Sequence, residues 1–96
     1  MAKTTFAGKR CFLTGAASGI GRATALRLAN QGAELYLTDC NAEGLAQTVN
    51  DARALGAHVP EYRALDIASY DEVASFAKEI HAKWAEDPRL LRQETL

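Results

Sequence analysis

Three glycines and one carboxylate hold the chemistry that can be read from this sequence. Thr14-Gly15-Ala16-Ala17-Ser18-Gly19-Ile20-Gly21 follows a short apolar run, Cys11-Phe12-Leu13, and opens a helical pattern that begins near Ile20. A strand, a glycine-rich turn and a helix in that order make a cradle for an anion. Gly15 lets the chain leave the strand through dihedrals that a Cβ would forbid. Gly19, with no side chain, lets a diphosphate approach the main chain, and Gly21 allows the helix to pack closely on the strand. The unpaired N–H groups of the first turn and the positive end of the helix dipole face the anion. The alternative is a flexible glycine loop with no ligand, which the clear patterns on both sides disfavour. No Gly-Lys-Ser/Thr follows, which excludes a nucleoside-triphosphate P-loop.

Asp39 is the carboxylate. It ends a second apolar run, Glu34-Leu35-Tyr36-Leu37-Thr38, and lies 24 positions after Gly15. That is near the offset of ~20 residues at which an acid accepts hydrogen bonds from the adenosine ribose. The same charge would repel a 2′-phosphate. The alternative is an Asp that caps the next helix.

The elements that must position these groups follow in regular order. Arg10 to Thr14 is the first strand, and the helix from Gly19 to about Gln31 closes at Gly32. After the second strand, Asn41 or Asp39 caps a helix from Ala42 to about Leu55, with Leu45, Val49 and Ala52 at helical spacing. His58 to Ala64 is a third strand, with Pro60 near its start. Ser69-Tyr70-Asp71-Glu72 has the form of a capping box, and Val73, Phe76, Ala77, Ile80 and Trp84 make a core-facing stripe on the third helix. Three βα units predict an α/β fold: the Rossmann-type βαβαβα half of a doubly wound parallel sheet, in strand order 3-2-1.

The octapeptide at 14–21 resembles the cofactor fingerprint of the short-chain dehydrogenase/reductase family, in its shorter single-domain branch. The resemblance runs from about Lys9 to Trp84 and covers the N-terminal half only. It implies a dinucleotide held by Gly15, Ser18, Gly19, Ile20, Gly21 and Asp39. It extends that set to Asp66 and Ile67, whose side chain and amide read the adenine in the family; the alternative for Asp66 is an ordinary loop acid. In the family a basic residue just before the second glycine, or just after the second strand, goes with NADP. Here those places hold Ser18 and Cys40, and Arg22 is expected to face solvent, so the resemblance favours NAD over NADP.

The same resemblance shows what these residues lack. The family continues with a fourth strand ending in Asn-Asn-Ala-Gly, a serine, and a Tyr-x-x-x-Lys pair that supplies the acid/base. The residues four beyond Tyr36, Tyr62 and Tyr70 are Cys40, Asp66 and Ala74, so no catalytic residue is assigned. Residues 85–96 form a polar tail that matches nothing in the family, after a nucleotide-binding half-domain at 1–84. The expectation is a chain truncated before strand 4, by an interrupted reading frame or otherwise, with no turnover. It would leave the outer edge of the first strand unpaired and open to self-association. A non-catalytic nucleotide-binding or interaction module, and a truncated product with no function, are the other readings.

Composition narrows the remaining classes. A chain of 96 residues with net charge −1 fits one small domain with no general basic field for nucleic acid or an anionic membrane. No apolar run approaches the ~20 residues of a spanning helix, and the N-terminus lacks a signal peptide's apolar core. Cys11 and Cys40 suit free thiols in a reducing cytoplasm. His58 and His81 are isolated and there is no Cys-x-x-Cys, so no metal site is expected.

Overall fold

A computed structural model describes residues 7–66 and 68–86, and the backbone of strand residues 92–95. Strands and helices alternate: β1 (Lys9–Thr14), α1 (Gly19–Asn30), β2 (Glu34–Asp39), α2 (Ala42–Ala54), β3 (His58–Ala64), α3 (Tyr70–Glu86) and β4 (Arg92–Thr95). The strands form one parallel sheet in the order β3-β2-β1-β4. The 3-2-1 order expected from the sequence is present.

Side chains alternate along the two central strands and divide the core into two layers. Cys11, Leu13, Leu35 and Leu37 point to one face, where they meet Ala25, Leu28 and Ala29 of α1 and Leu45, Val49 and Ala52 of α2. Phe12 and Tyr36 point to the other, where they meet Phe76, Ile80 and Trp84 of α3. Covering both faces explains why β2 is buried along its whole length and why its sequence has no polar alternation. The α3 layer is aromatic. Phe12 and Phe76 lie 5.5 Å apart between ring centroids, and Trp84 meets Tyr36 edge-on at 5.1 Å.

One expectation is corrected. The outer edge of β1 is not bare, because Arg92–Thr95 pairs with it in parallel, from Lys9↔Arg92 to Phe12↔Thr95. The physical reason lies in the main chain. An exposed strand edge presents N–H and C=O groups that any non-proline backbone can satisfy. Arg-Gln-Glu-Thr therefore pairs without the apolar run that marks a buried strand. The pairing removes the basis for self-association through an unpaired β1 edge over Lys9–Phe12.

One local detail also differs from expectation. Ser69 Oγ accepts the Glu72 amide at 3.4 Å, but the Ser69 amide donates to the Asp66 carbonyl at 2.9 Å, so the reciprocal half of the capping box is not made. Arg10, placed in an apolar strand, is fully buried. Its Nε lies 3.3 Å from Glu34 Oε2, its register partner on β2, and its Nη1 donates to the Trp84 carbonyl near the end of α3. The Tyr36 hydroxyl donates to the same carboxylate at 2.5 Å. Burial, together with that hydrogen bond, pushes the Tyr36 phenol up to about 12. Pairing offsets the desolvation that an isolated buried charge would suffer.

The α3 layer yields a direct test. Phe76 is buried at 1% exposure, and Phe76→Ala removes its contacts with Phe12. The expected loss is about 3–5 kcal/mol in urea unfolding. The emission of Trp84, the single tryptophan, should shift to longer wavelength as the layer loosens. An unchanged urea midpoint and unchanged emission would contradict this packing.

Candidate functional site

The C-terminal ends of β1, β2 and β3 meet at one corner of the sheet. The Ala16 amide donates to the Thr38 carbonyl at 3.1 Å, and the Leu65 amide donates to the Asp39 carbonyl at 2.9 Å. The loop after β1 leaves through Gly15 at φ +70° and reaches α1 through Gly19 at φ +58°. A Cβ on either glycine would meet nothing within 4 Å, so the space over them is open. Gly21 is constrained differently. A Cβ there would lie 1.8 Å from the Gly15 carbonyl oxygen, because the first turn of α1 presses directly on the loop's own backbone.

Ala16 and Ala17 are buried, whereas Ser18, Gly19 and Ile20 stand exposed on the rim. Ile20 is 86% exposed, an apolar side chain beside an open backbone. Ser18 precedes α1 but makes no side-chain cap, and no acidic residue occupies the helix's first turn. The positive end of α1 is therefore not compensated by the chain's own carboxylates there.

Asp39 closes the corner from the side of β2. Its carboxylate accepts the Ala17 amide on Oδ2 and the Asn41 amide on Oδ1, both at 2.9 Å. Burial alone would raise the Asp39 carboxyl. Hydrogen bonds from Asn41, Ala17 and Cys40 outweigh it and hold the group below the usual carboxylate range. The capping alternative for Asp39 falls away, because Asn41 Oδ1 caps α2 by accepting the Gly44 amide at 3.1 Å.

Asp66 lies at the same end of the sheet, exposed, with Oδ1 accepting the Ala68 amide at 2.9 Å. This is the local turn of a loop acid. Ile67 lies outside the described residues. Arg22 is placed differently from expectation: instead of facing solvent, it bridges α1 to α2. It pairs with Asp51 and donates to Thr48 Oγ1 at 3.1 Å. Thr48 in turn donates to the Ala16 carbonyl at 2.9 Å. Reading the sequence missed Thr48, although a polar residue between Leu45 and Val49 on the buried face of α2 was the available signal. Cys11 is buried, Cys40 is exposed, and neither forms a disulfide. Among the described residues no group of three or more His, Cys, Asp or Glu could hold a metal, and no helix is long and apolar enough to cross a membrane.

A glycine loop pressed against the first turn of its helix, with an acid fixed across from it, agrees with the family comparison. The short chain dehydrogenase model matches residues 9–88. The chain belongs to the short-chain dehydrogenase family. It is 47% identical over 79 residues to a putative oxidoreductase, SadH, of Mycobacterium tuberculosis, covering 82% of this chain and 28% of that protein. It is 43% identical over 70 residues to the 2,3-dihydro-2,3-dihydroxybenzoate dehydrogenase of Bacillus subtilis, covering 71% and 27%. Among solved structures, an NAD⁺-bound xylitol dehydrogenase matches with a TM-score of 0.76 and 33% identity, covering 84% of this chain and 31% of that one. A short chain dehydrogenase of Mycobacterium paratuberculosis bound to NAD matches with a TM-score of 0.73 and 25% identity, covering 83% and 34%. The chain thus spans less than a third of the length of these two curated relatives.

Two tests follow from this geometry. Gly21→Ala should cost about 3 kcal/mol or more, because the methyl group meets backbone that cannot yield. Gly19→Ala should cost only the ~1–2 kcal/mol of a left-handed dihedral. Thermal unfolding compares them, and equal losses would contradict the close approach at Gly21. The second test is pH dependence. A carboxyl lowered on folding contributes stability above its ordinary value of 3.8, and that contribution is lost as pH falls through the lower folded value. The stability gap between the parent chain and Asp39→Asn should therefore be full near neutrality and shrink below about pH 4. A gap that stays constant into acid would contradict the hydrogen-bonded carboxylate.

Proposed function

We propose that these residues are the NAD-binding portion of a short-chain dehydrogenase that exchanges hydride between NAD(H) and an alcohol or carbonyl substrate. The observation that carries the reading is the Asp39 carboxylate, held by two amides at the lip of an open glycine loop. In this reading the backbone at Gly15, Ser18, Gly19, Ile20 and Gly21 cradles the diphosphate, with the first turn of α1 supplying N–H donors and a positive dipole. Asp39 accepts from the adenosine ribose hydroxyls. Asp66 and Ile67 take the adenine edge. When bound, NAD supplies the hydride-accepting ring, and every group on this chain serves to bind and orient it.

Several features support NAD over NADP. The Asp39 charge opposes a 2′-phosphate, and Ser18 and Cys40 bring no cation to it. Arg22 is committed to Asp51 and Thr48. These 96 residues contain no tyrosine followed four positions later by lysine, so they hold no candidate acid/base pair and bind without turnover. For the chain itself, this function is that of a nucleotide-binding module. A reducing cytoplasm suits two cysteines that form no disulfide.

Calorimetry with NAD and NADP tests the proposal. The expected result is NAD binding that falls by about 10- to 100-fold in Asp39→Ala, the range for hydrogen bonds to a charged group. NADP should bind more weakly than NAD, and the difference should narrow in that variant. Equal affinity for the two in the parent chain, or no binding of NAD by a folded sample, would overturn the assignment.

A further inference from the structure

The Ala16–Ala17 peptide is gripped at both ends. Its N–H, on Ala17, donates to Asp39 Oδ2 at 2.9 Å, and its C=O, on Ala16, accepts from Thr48 Oγ1 at 2.9 Å. A peptide unit is planar, with its N–H and C=O pointing in opposite directions, so fixing both fixes the rotation of the plane. Thr48 is fully buried. Its hydroxyl has one proton and two carbonyls within reach, Ala16 at 2.9 Å and Gly44 at 3.1 Å. Arg22 Nη1 donates to the same oxygen at 3.1 Å, which occupies a lone pair and turns the proton toward the carbonyls. Arg22 is held in turn by Asp51, whose other oxygen accepts from Gln47 Nε2 at 2.9 Å. The first turn of α2 also supports the loop from beneath: a Cβ on Gly44 would come within 3.1 Å of the Ala17 methyl.

We infer that Thr48 is a positioning residue for the dinucleotide, acting through the Ala16–Ala17 peptide to hold Asp39 in its ribose-accepting orientation. The inference rests on the reading of this corner as the NAD site. Without the hydroxyl, the Ala16 carbonyl loses its side-chain donor in a buried place, and the peptide turns to find another. The Ala17 amide then leaves Asp39, which keeps only its partners on the β2–α2 turn. Arg22 and Asp51 form the outer part of the same support and tie the loop to both helices.

Thr48→Val keeps the shape and removes the hydroxyl, and Thr48→Ser keeps the hydroxyl and removes the methyl. Amide exchange at Ala17, followed by NMR without nucleotide, and NAD affinity by calorimetry are measured on the 96-residue chain. Thr48→Val should lose protection at Ala17 and bind NAD about tenfold more weakly, the scale of one hydrogen bond. Thr48→Ser should restore both. Should the valine variant not fold, Thr48→Ala carries the same expectation. Unchanged Ala17 exchange in the variant lacking the hydroxyl overturns the inference. So does a serine variant as impaired as the valine one, which would make the methyl packing decisive. A folded parent chain that binds no NAD overturns the dinucleotide reading itself. A parent that binds NAD, with Thr48→Val binding equally well, overturns the role of Thr48 alone.

Discussion

The hydrogen bond from the Ala17 amide to Asp39 Oδ2 joins the loop after β1 to the end of β2, and the arrangement of the site depends on it. Beside it, the Ala16 amide donates to the Thr38 carbonyl. With it, one carboxylate fixes the loop from the side, while its main-chain carbonyl accepts Leu65 from the end of β3. Three strand ends and the start of a helix thus converge on residue 39. The carboxylate is stabilised in return. Amide donors in a buried setting favour its charged form more than burial disfavours it. An acid fixed in advance would leave less ordering to be done on binding the proposed ligand.

The scaffold keeps this corner separate from a second polar centre. Arg10 and Glu34 lie at the opposite, N-terminal ends of β1 and β2, buried under α3 with Tyr36 and Trp84. A cation against the final carbonyls of a helix is favourable, and Arg10 reaches the Trp84 carbonyl two residues before α3 ends. That centre anchors the α3 layer to the sheet, while the α1–α2 layer carries the loop. Small residues face the sheet from both helices of this layer: Ala25 and Ala29 on α1, Ala52 on α2. The two helices are near enough for Arg22 and Asp51 to meet. The fold places its charge pairs where they join elements, and leaves the rim at Ser18–Ile20 open.

What could be read in the sequence was whatever residue type alone enforces. Gly15 and Gly19 stand at left-handed dihedrals and Gly21 at a close approach, and all three demands are written in the absence of a Cβ. The apolar stripes of α2 and α3 and the unbroken run of β2 likewise fix which faces are buried. What could not be read depends on pairing across distance. Arg10 shows its partner only once β1 and β2 are in register. Thr48 resembles any mid-helix threonine until α2 is packed on the loop. β4 pairs through its main chain, so its polar side chains gave no warning. Arg22 was misplaced for a related reason. Its position past the last glycine suggested solvent, but the close packing of α1 on α2 brings Asp51 to it.

The dinucleotide proposed for this corner is supported by membership of the short-chain dehydrogenase family and by the resemblance to NAD-bound structures. The most direct measurement is NMR shift mapping of the labelled 96-residue chain during titration with NAD. The account predicts that the largest amide shifts fall on residues 15–21 and 39–41, with the Gly8 and Gly32 end of the sheet undisturbed. Shifts centred on any other surface, or no saturable change in a folded sample, would contradict it.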